Sequence, residues 1–534
     1  MLRSDALGVG VPSRRGSSGD VSKYPVRLSC ATASERGDPD SLPRPSRGPA
    51  ASVDSFAAVD RKWWTLAGAC AGLFILMLDS TVVALALPAI RHDVDASAEG
   101  LQWVMNGYLL TIAVLVVTAG RLGDMFGRKR AFLFGMVLFA VGSVVSGAAQ
   151  NQEMLILGRV LQGAGAAPML SLSLALVCNA FPSEEQPRAL GIWAAVSAVA
   201  LAIGPLAGGL LIEVDWRVIF WMNLPVAALG FAITAIAAPE STDPSAGDRI
   251  DWAGLAALTV GLGGVVLALV QSRAWGAAAT IGLALVGVGA LLAFRAVEGR
   301  VRDPIVDFAL FRNGPYFGAS AAAFALVGAY WAVMFFQPQY LQDARGHSPI
   351  ESGLMILPVT APMVFVSPFS GRLIGRFGAR RLMTTGMLCA VAGLLVLTQI
   401  GAHSSYGLLL VGYLLFGIAL GLVYAPMSTA AMAAMPREKV GIASGVLAMD
   451  RVAAGAVALA ATGAAFHAIE GGGSSLADAI AGSTWVAVVI SAIGAALTWA
   501  FVRDPQTQGP DPAVAGDPPR ADLRHHRHHR RFHL

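Results

Sequence analysis

Four charged side chains lie deep inside long apolar runs of this 534-residue chain: Asp79, Arg159, Asp450 and Arg451. A charge at bilayer depth costs about 2.5–3.5 kcal/mol on insertion scales, so it faces a cavity or a partner rather than lipid. A carboxylate in that position can hold either a proton or a cation, and a nearby arginine can keep it ionised or gate access to it. Exchange of a proton for another ligand is the chemistry such residues allow. The same side chains would also serve as hydrogen-bonded braces between helices, and both readings stand. Asp450 and Arg451 are sequence neighbours, which point ~100° apart on a helix, so each needs its own partner. Asp450 is read as a second protonatable group, as the counter-ion of Arg159, or as a local brace.

Other chemistries find no residues to carry them. The four cysteines, Cys30, Cys70, Cys178 and Cys389, are far apart and have no metal-ligand spacing. The four lysines lack the preceding Gly and following Ser/Thr of a phosphate-cradling loop. No nucleophile–base pair or His/Asp metal cluster falls within the apolar runs. The expectations are no enzyme, no metal and no cofactor, with an ion gradient as the energy source. The closing RHHRHHRRFHL (524–534) reads as a basic tail near anionic lipid rather than a metal site.

The elements that must position the charges are legible from composition. The chain is 55% hydrophobic and 13% charged, with mean hydropathy +0.62, against roughly 25% charged in soluble domains. This excludes a cytosolic enzyme, a secreted disulfide scaffold and a nucleic-acid module. Fourteen runs approach the ~20 residues a helix needs to cross a bilayer. They cover 65–87, 101–120, 131–149, 154–178, 190–212, 217–237, 252–270, 277–296, 316–337, 353–370, 382–400, 406–428, 440–464 and 484–502. Asp79 then stands ~21 Å into the first span, near mid-membrane. Residues 1–60 and 504–534 read as disordered tails; the first carries eight basic and seven acidic residues and no apolar core.

Loop charges orient the spans. With the N-terminus in the cytoplasm, sixteen Arg and Lys residues fall in inner loops and four, Arg91, Arg217, Arg273 and Arg345, in outer ones. This favours both termini inside. GRLGDMFGRKR (120–130) and GRLIGRFGARR (371–381) match at six of eleven positions, 251 residues apart. The chain therefore reads as an N-terminal six-helix bundle (61–240), two inserted helices (241–300) and a C-terminal six-helix bundle (301–503). Two parallel six-helix halves are the plan of a secondary transporter with its site between them.

At this point the motifs resemble the major facilitator superfamily, in particular its fourteen-helix drug:proton antiporter branch. LDSTVVALALP (78–88), QWVMNGYLL (102–110), GRLGDMFGRKR, LILGRVLQGAGAA (155–167) and WRVIFWMNLP (216–225) carry the resemblance. The fifth span resembles the antiporter motif through Gly191, Gly204, Pro205, Gly208 and Gly209, with Ala200 where a Gly is usual. The resemblance implies an all-α integral membrane protein that exports lipophilic drugs or antibiotics against a proton gradient by rocker-type alternating access. Cationic cargo, a cytoplasmic-membrane location and a functional monomer are implied with it. Alternatives are an exporter of an endogenous metabolite or lipid and, more remotely, a non-transporting scaffold or receptor.

The resemblance also assigns roles. Asp79, Arg159, Asp450 and Arg451 would couple protons. Gly120, Asp124, Gly127 and Arg128 would form a conformational switch, Asp124 favouring the N-terminus of the thirteenth span near Gly441 until the inward-open state is released. The glycines of the fifth span and Pro205 would shape a hinge at the seam between halves. Thr81, Trp103, Asn106, Gln162, Trp331, Gln337 and Tyr340 are candidates for the cavity wall. The tenth span (353–370) holds no acidic residue, unlike relatives that expel dications.

Overall fold

The computed structural model describes residues 53–182, 184–243, 250–301, 304–436 and 439–503, apart from the side chains of residues 53–60, 187, 368 and 440. Residues 1–52 and 504–534, most of the two expected tails, lie outside the described residues, as do Arg249, Arg302 and Arg437 of the loops. The described residues are almost entirely helical and contain no strand. In hydrocarbon every backbone N–H and C=O must be satisfied within the segment, which leaves the helix as the available form for each apolar run.

The first six spans are α1 (Val53–Asp93), α2 (Ala98–Phe126), α3 (Arg128–Gly147), α4 (Gln152–Ala180), α5 (Gln186–Ile212) and the pair α6 (Val218–Trp221) and α7 (Asn223–Ala237). The inserted hairpin is α8 (Trp252–Val270) and α9 (Gly276–Glu298). The last six are α10 (Gly314–Gln339, continued by a π turn over Tyr340–Ala344), α11 (Pro349–Phe377), α12 (Ala379–Leu397), α13 (Tyr406–Ala433), α14 (Val440–Glu470) and α15 (Leu476–Phe501). Among the described residues, fourteen segments are long and apolar enough to span a membrane. Most helices outrun the expected limits because good helix formers carry on past the apolar stretch; α1 begins at Val53, inside the stretch read as a tail. The sixth span breaks at Met222, where Pro225 has no N–H to give the carbonyl of Trp221.

At the arginine-poor end the helices start on side-chain caps: Ser97 for α2, Asn151 for α4, Ser348 for α11 and Ser475 for α15. Glu351 closes a capping box on α11, so that helix does carry an acid, at its first turn. The internal repeat is visible in the backbone. Gly127 and Gly378, at equivalent positions, both take positive φ (117° and 82°) where one helix ends and the next begins. Within the first half, α3 meets α4 through Gly135, Gly142, Gly158 and Gly165, where a Cβ would strike facing backbone.

The halves meet along two seams, α2 against α14 and α5 against α11, and α8 lies over the α2/α14 seam. Both seams are tight at the arginine-poor end. Gly209 packs on Pro349 and Ile350, Gly353 on the carbonyl of Pro205, and Thr360 Oγ1 donates to Ala202 O at 3.3 Å. Toward the arginine-rich end the same helices part: Gly191, Gly371, Gly375, Gly441 and Gly445 have open space beside their backbones.

Candidate functional site

A central cavity lies between the halves, walled by α1, α2, α4 and α5 on one side and by α10, α11, α13 and α14 on the other. Its lining is mostly apolar, with Ser80, Tyr108, Tyr330, Trp331, Thr360, Tyr424 and Arg451 as the groups that can hydrogen-bond or stack. No Asp or Glu is among the lining residues. Arg451 stacks over the Tyr424 ring, 5.4 Å from guanidinium carbon to centroid.

Asp79 is not on that wall. Its carboxylate points into the first half and is fully enclosed. Arg159 Nη1 donates to Asp79 Oδ2 at 2.5 Å. Asn223 Nδ2 and Gln162 Nε2 donate to Oδ1 at 2.8 and 3.2 Å. Both amides also reach Ser143 Oγ, so α1, α3, α4 and α7 are tied at one point. Arg159 further donates through Nε to Val104 O (3.1 Å) and through Nη1 to Gln162 Oε1 (2.8 Å). Removing either charged partner would strand the other in a low-dielectric interior. Tyr108 separates this cluster from the cavity: Arg159 stacks on its ring at 4.1 Å while Tyr108 itself lines the wall. Arg159 Nη2 is left buried without a partner.

Several expectations are corrected. Of the readings open for Asp450, the counter-ion of Arg159 falls away: Arg159 pairs with Asp79, as the alternative in which it holds that carboxylate ionised expects. Asp450 instead accepts from Ser320 Oγ at 2.7 Å, bracing α14 against α10. Of the seven proposed cavity residues, only Trp331 lines the cavity. Gln162 belongs to the Asp79 cluster. Thr81 donates to the carbonyl of Leu78 (3.0 Å) and meets Gly204, where α5 passes too close to α1 for any Cβ. Gln337 accepts from Tyr413 Oη (2.6 Å), and Tyr340 donates to Gly401 O (2.8 Å), both within the second half. Asn106 is buried with neither side-chain atom partnered, and Trp103 packs against the core. The rotation of each helix about its axis decided these outcomes, and an all-round apolar helix does not announce that rotation.

The loop motif forms a docked turn. Asp124 pairs with Arg128 at 2.7 Å rather than reaching α14, and Gly441 has nothing beside it. Glu240, which sequence reasoning passed over, accepts from the backbone N–H of Lys129 (2.9 Å) and Arg130 (3.3 Å), placing a negative charge at the start of α3. Gly127 sits against Glu240, and Gly120 faces Ser171. Gly208 packs on Val82 and Leu85 of α1.

A second polar contact that sequence reasoning missed closes the other end. Gln102 Nε2 of α2 lies 2.8 Å from His467 Nε2 of α14, both buried. Glu470 Oε2 is 3.7 Å from His467 and 3.6 Å from Arg273 of the α8–α9 turn. The signal was there to find: Gln102 stands at the start of one apolar run, and His467 lies three residues past the end of another, on the same side. Among the described residues no group of three or more His, Cys, Asp or Glu could hold a metal ion.

The family model described as Major Facilitator Superfamily matches residues 69–459 and again 319–533. The chain is 37% identical over 408 residues to the multidrug resistance protein Stp of Mycobacterium tuberculosis, covering 76% of each chain. It is 34% identical over 389 residues to the tetracenomycin C resistance and export protein of Streptomyces glaucescens, covering 72% of each. Among solved structures it resembles a D-xylose-proton symporter (TM-score 0.60, 14% identity), covering 83% of this chain and 98% of that one.

Proposed function

Because the chain belongs to the major facilitator superfamily, we propose that it is a proton-coupled exporter of lipophilic small molecules, drugs or antibiotics among them. Relatives named for multidrug resistance and for tetracenomycin C export support the direction and the kind of cargo. One observation carries the coupling: the buried Asp79–Arg159 pair stands directly behind the cavity wall, with Ser80 next to it in sequence and Tyr108 as the partition.

In this reading the cargo and the proton do not compete for one carboxylate. Protonation of Asp79 would cancel its attraction to Arg159 and slacken the joint of α1, α3, α4 and α7. Tyr108, stacked on Arg159, would pass that change to the cavity wall. The tight seams at one end and parted seams at the other support rocking between two access states. The charge-rich loops support a cytoplasmic position for the parted end by the positive-inside rule, and the reading puts both termini there and the chain in the cytoplasmic membrane. One chain supplies every wall of the cavity, which suits a monomer. The limits 61–240, 241–300 and 301–503 are kept for the first bundle, the inserted pair and the second bundle. Asp124, engaged with Arg128, is the free form of the proposed switch. Cationic cargo receives no support from a wall that lacks a carboxylate.

The test is efflux of fluorescent dyes of different charge from a pump-deficient bacterium, with and without an uncoupler. The uncoupler and Asp79→Asn should each abolish efflux at unchanged protein level. Efflux that survives both treatments would remove proton coupling.

A further inference from the structure

Arg451 is the one formal charge on the lining of the central cavity. Its guanidinium has a ring contact with Tyr424, and among the described residues no hydrogen-bonded acceptor takes its N–H groups. Its sequence neighbour Asp450 is occupied elsewhere, accepting from Ser320 Oγ on α10. The other intramembrane pair, Asp79 with Arg159, is closed on itself behind Tyr108 and contributes no net charge to the wall. A guanidinium without a hydrogen-bonded acceptor in an aromatic-lined chamber is an anion site: it offers a planar fork of donors matched to a carboxylate or sulfonate. Tyr108, Tyr330 and Trp331 supply flat apolar surface beside it.

We propose that the cavity selects lipophilic aromatic anions, their acidic group held by Arg451 and their ring system lying against Tyr330, Trp331 and Tyr424. Cations of the same shape are disfavoured, since on the wall they would meet the Arg451 charge and no carboxylate. Neutral aromatic compounds fall between the two. The inference rests on the export reading above and adds a specificity-determining residue to it. Export of an anion in exchange for a proton moves charge in one sense on both legs, so such transport would also respond to membrane potential.

Two dyes on one scaffold separate the possibilities: fluorescein, an anion near pH 8, and rhodamine 123, a cation. The full chain is reconstituted into liposomes, and uptake of each dye is followed under an imposed pH gradient. The wild type should favour fluorescein at least tenfold. Arg451→Gln should lower the fluorescein-to-rhodamine ratio at least tenfold, and Arg451→Lys should restore part of it. A wild type that prefers rhodamine 123, or a ratio unmoved in Arg451→Gln, overturns the anion site while leaving export intact. Loss of both dyes in Arg451→Gln without recovery in Arg451→Lys makes Arg451 structural and overturns it equally. Gradient-driven uptake of neither dye by the wild type brings down the export reading itself, and the anion site with it.

Discussion

The two halves carry the same helix plan and bury their charges differently. In the first, Asp79 and Arg159 neutralise each other inside a bundle of four helices, with Gln162 and Asn223 donating both to Asp79 and to Ser143 Oγ. In the second, position 330, equivalent to Asp79 by the 251-residue repeat, is a tyrosine on the cavity wall. There the charges are Asp450, hydrogen-bonded to Ser320, and Arg451, left facing the cavity. The loop motif is equally lopsided: Asp124 has Gly375 as its counterpart. A duplicated scaffold has thus kept its shape while dividing labour, one half holding a closed ion pair and the other presenting an open cation.

The comparison can be broken most forcefully at the closed pair. Arg159→Met should destabilise the protein by about 3–5 kcal/mol, because Asp79 would remain buried and uncompensated. Asp79→Leu combined with Arg159→Met should regain most of that stability while remaining inactive in efflux. Thermal melting in detergent, set beside transport, separates the two effects. If the double variant transported normally under an uncoupler-sensitive gradient, the pair would be a brace and nothing more.

A smaller change is expected at the seam joining the halves. Gln102→Ala removes one buried hydrogen bond to His467, worth about 1 kcal/mol net. Closure at the arginine-poor end should weaken about fivefold, read as faster hydrogen exchange at the start of α2 and the end of α14. Unchanged exchange there would show that the glycine contacts of α5 and α11 hold the end shut unaided.

The smallest effect belongs to an ion pair outside the spans. Burial pushes the Asp307 carboxyl up, but the Lys439 ammonium at 2.9 Å and the Ala309 N–H outweigh it and hold the group below its usual range. Because the folded value is depressed, the stabilisation is complete above the unfolded value near ~4 and is lost as pH falls through the folded one. Lys439→Ala should cost under about 1 kcal/mol at pH 7, and its melting curve should merge with the parent's in strong acid. A gap that persisted there would assign Lys439 a different role, at the start of α14.

Much of the plan was readable along the chain. Apolar run length marked fourteen spans, and GRLGDMFGRKR with GRLIGRFGARR marked the repeat that Gly127 and Gly378 then display in the backbone. Asp79 and Arg159 stood out as charges where none is cheap. That Arg159 could hold Asp79 ionised was one reading of the sequence beside gating; which of the two the fold adopts was not legible, since α1 and α4 meet only through packing, and neither was the role of Asn223, an ordinary polar residue in a broken span. Glu240 and His467 escaped notice because each acquires meaning from a partner more than a hundred residues away.

Sequence by itself determined the solvent of this protein, its count of spans, the duplication and the small set of intramembrane charges, because hydropathy and spacing are local properties. Tertiary structure alone decided which charges are satisfied and which are offered to the cavity. That choice depends on the rotation of each helix about its axis, and close-packed side chains at glycine-rich crossings set the rotation. Asp79 turns inward to Arg159 and Arg451 turns to the cavity, although both stand as charges in apolar runs.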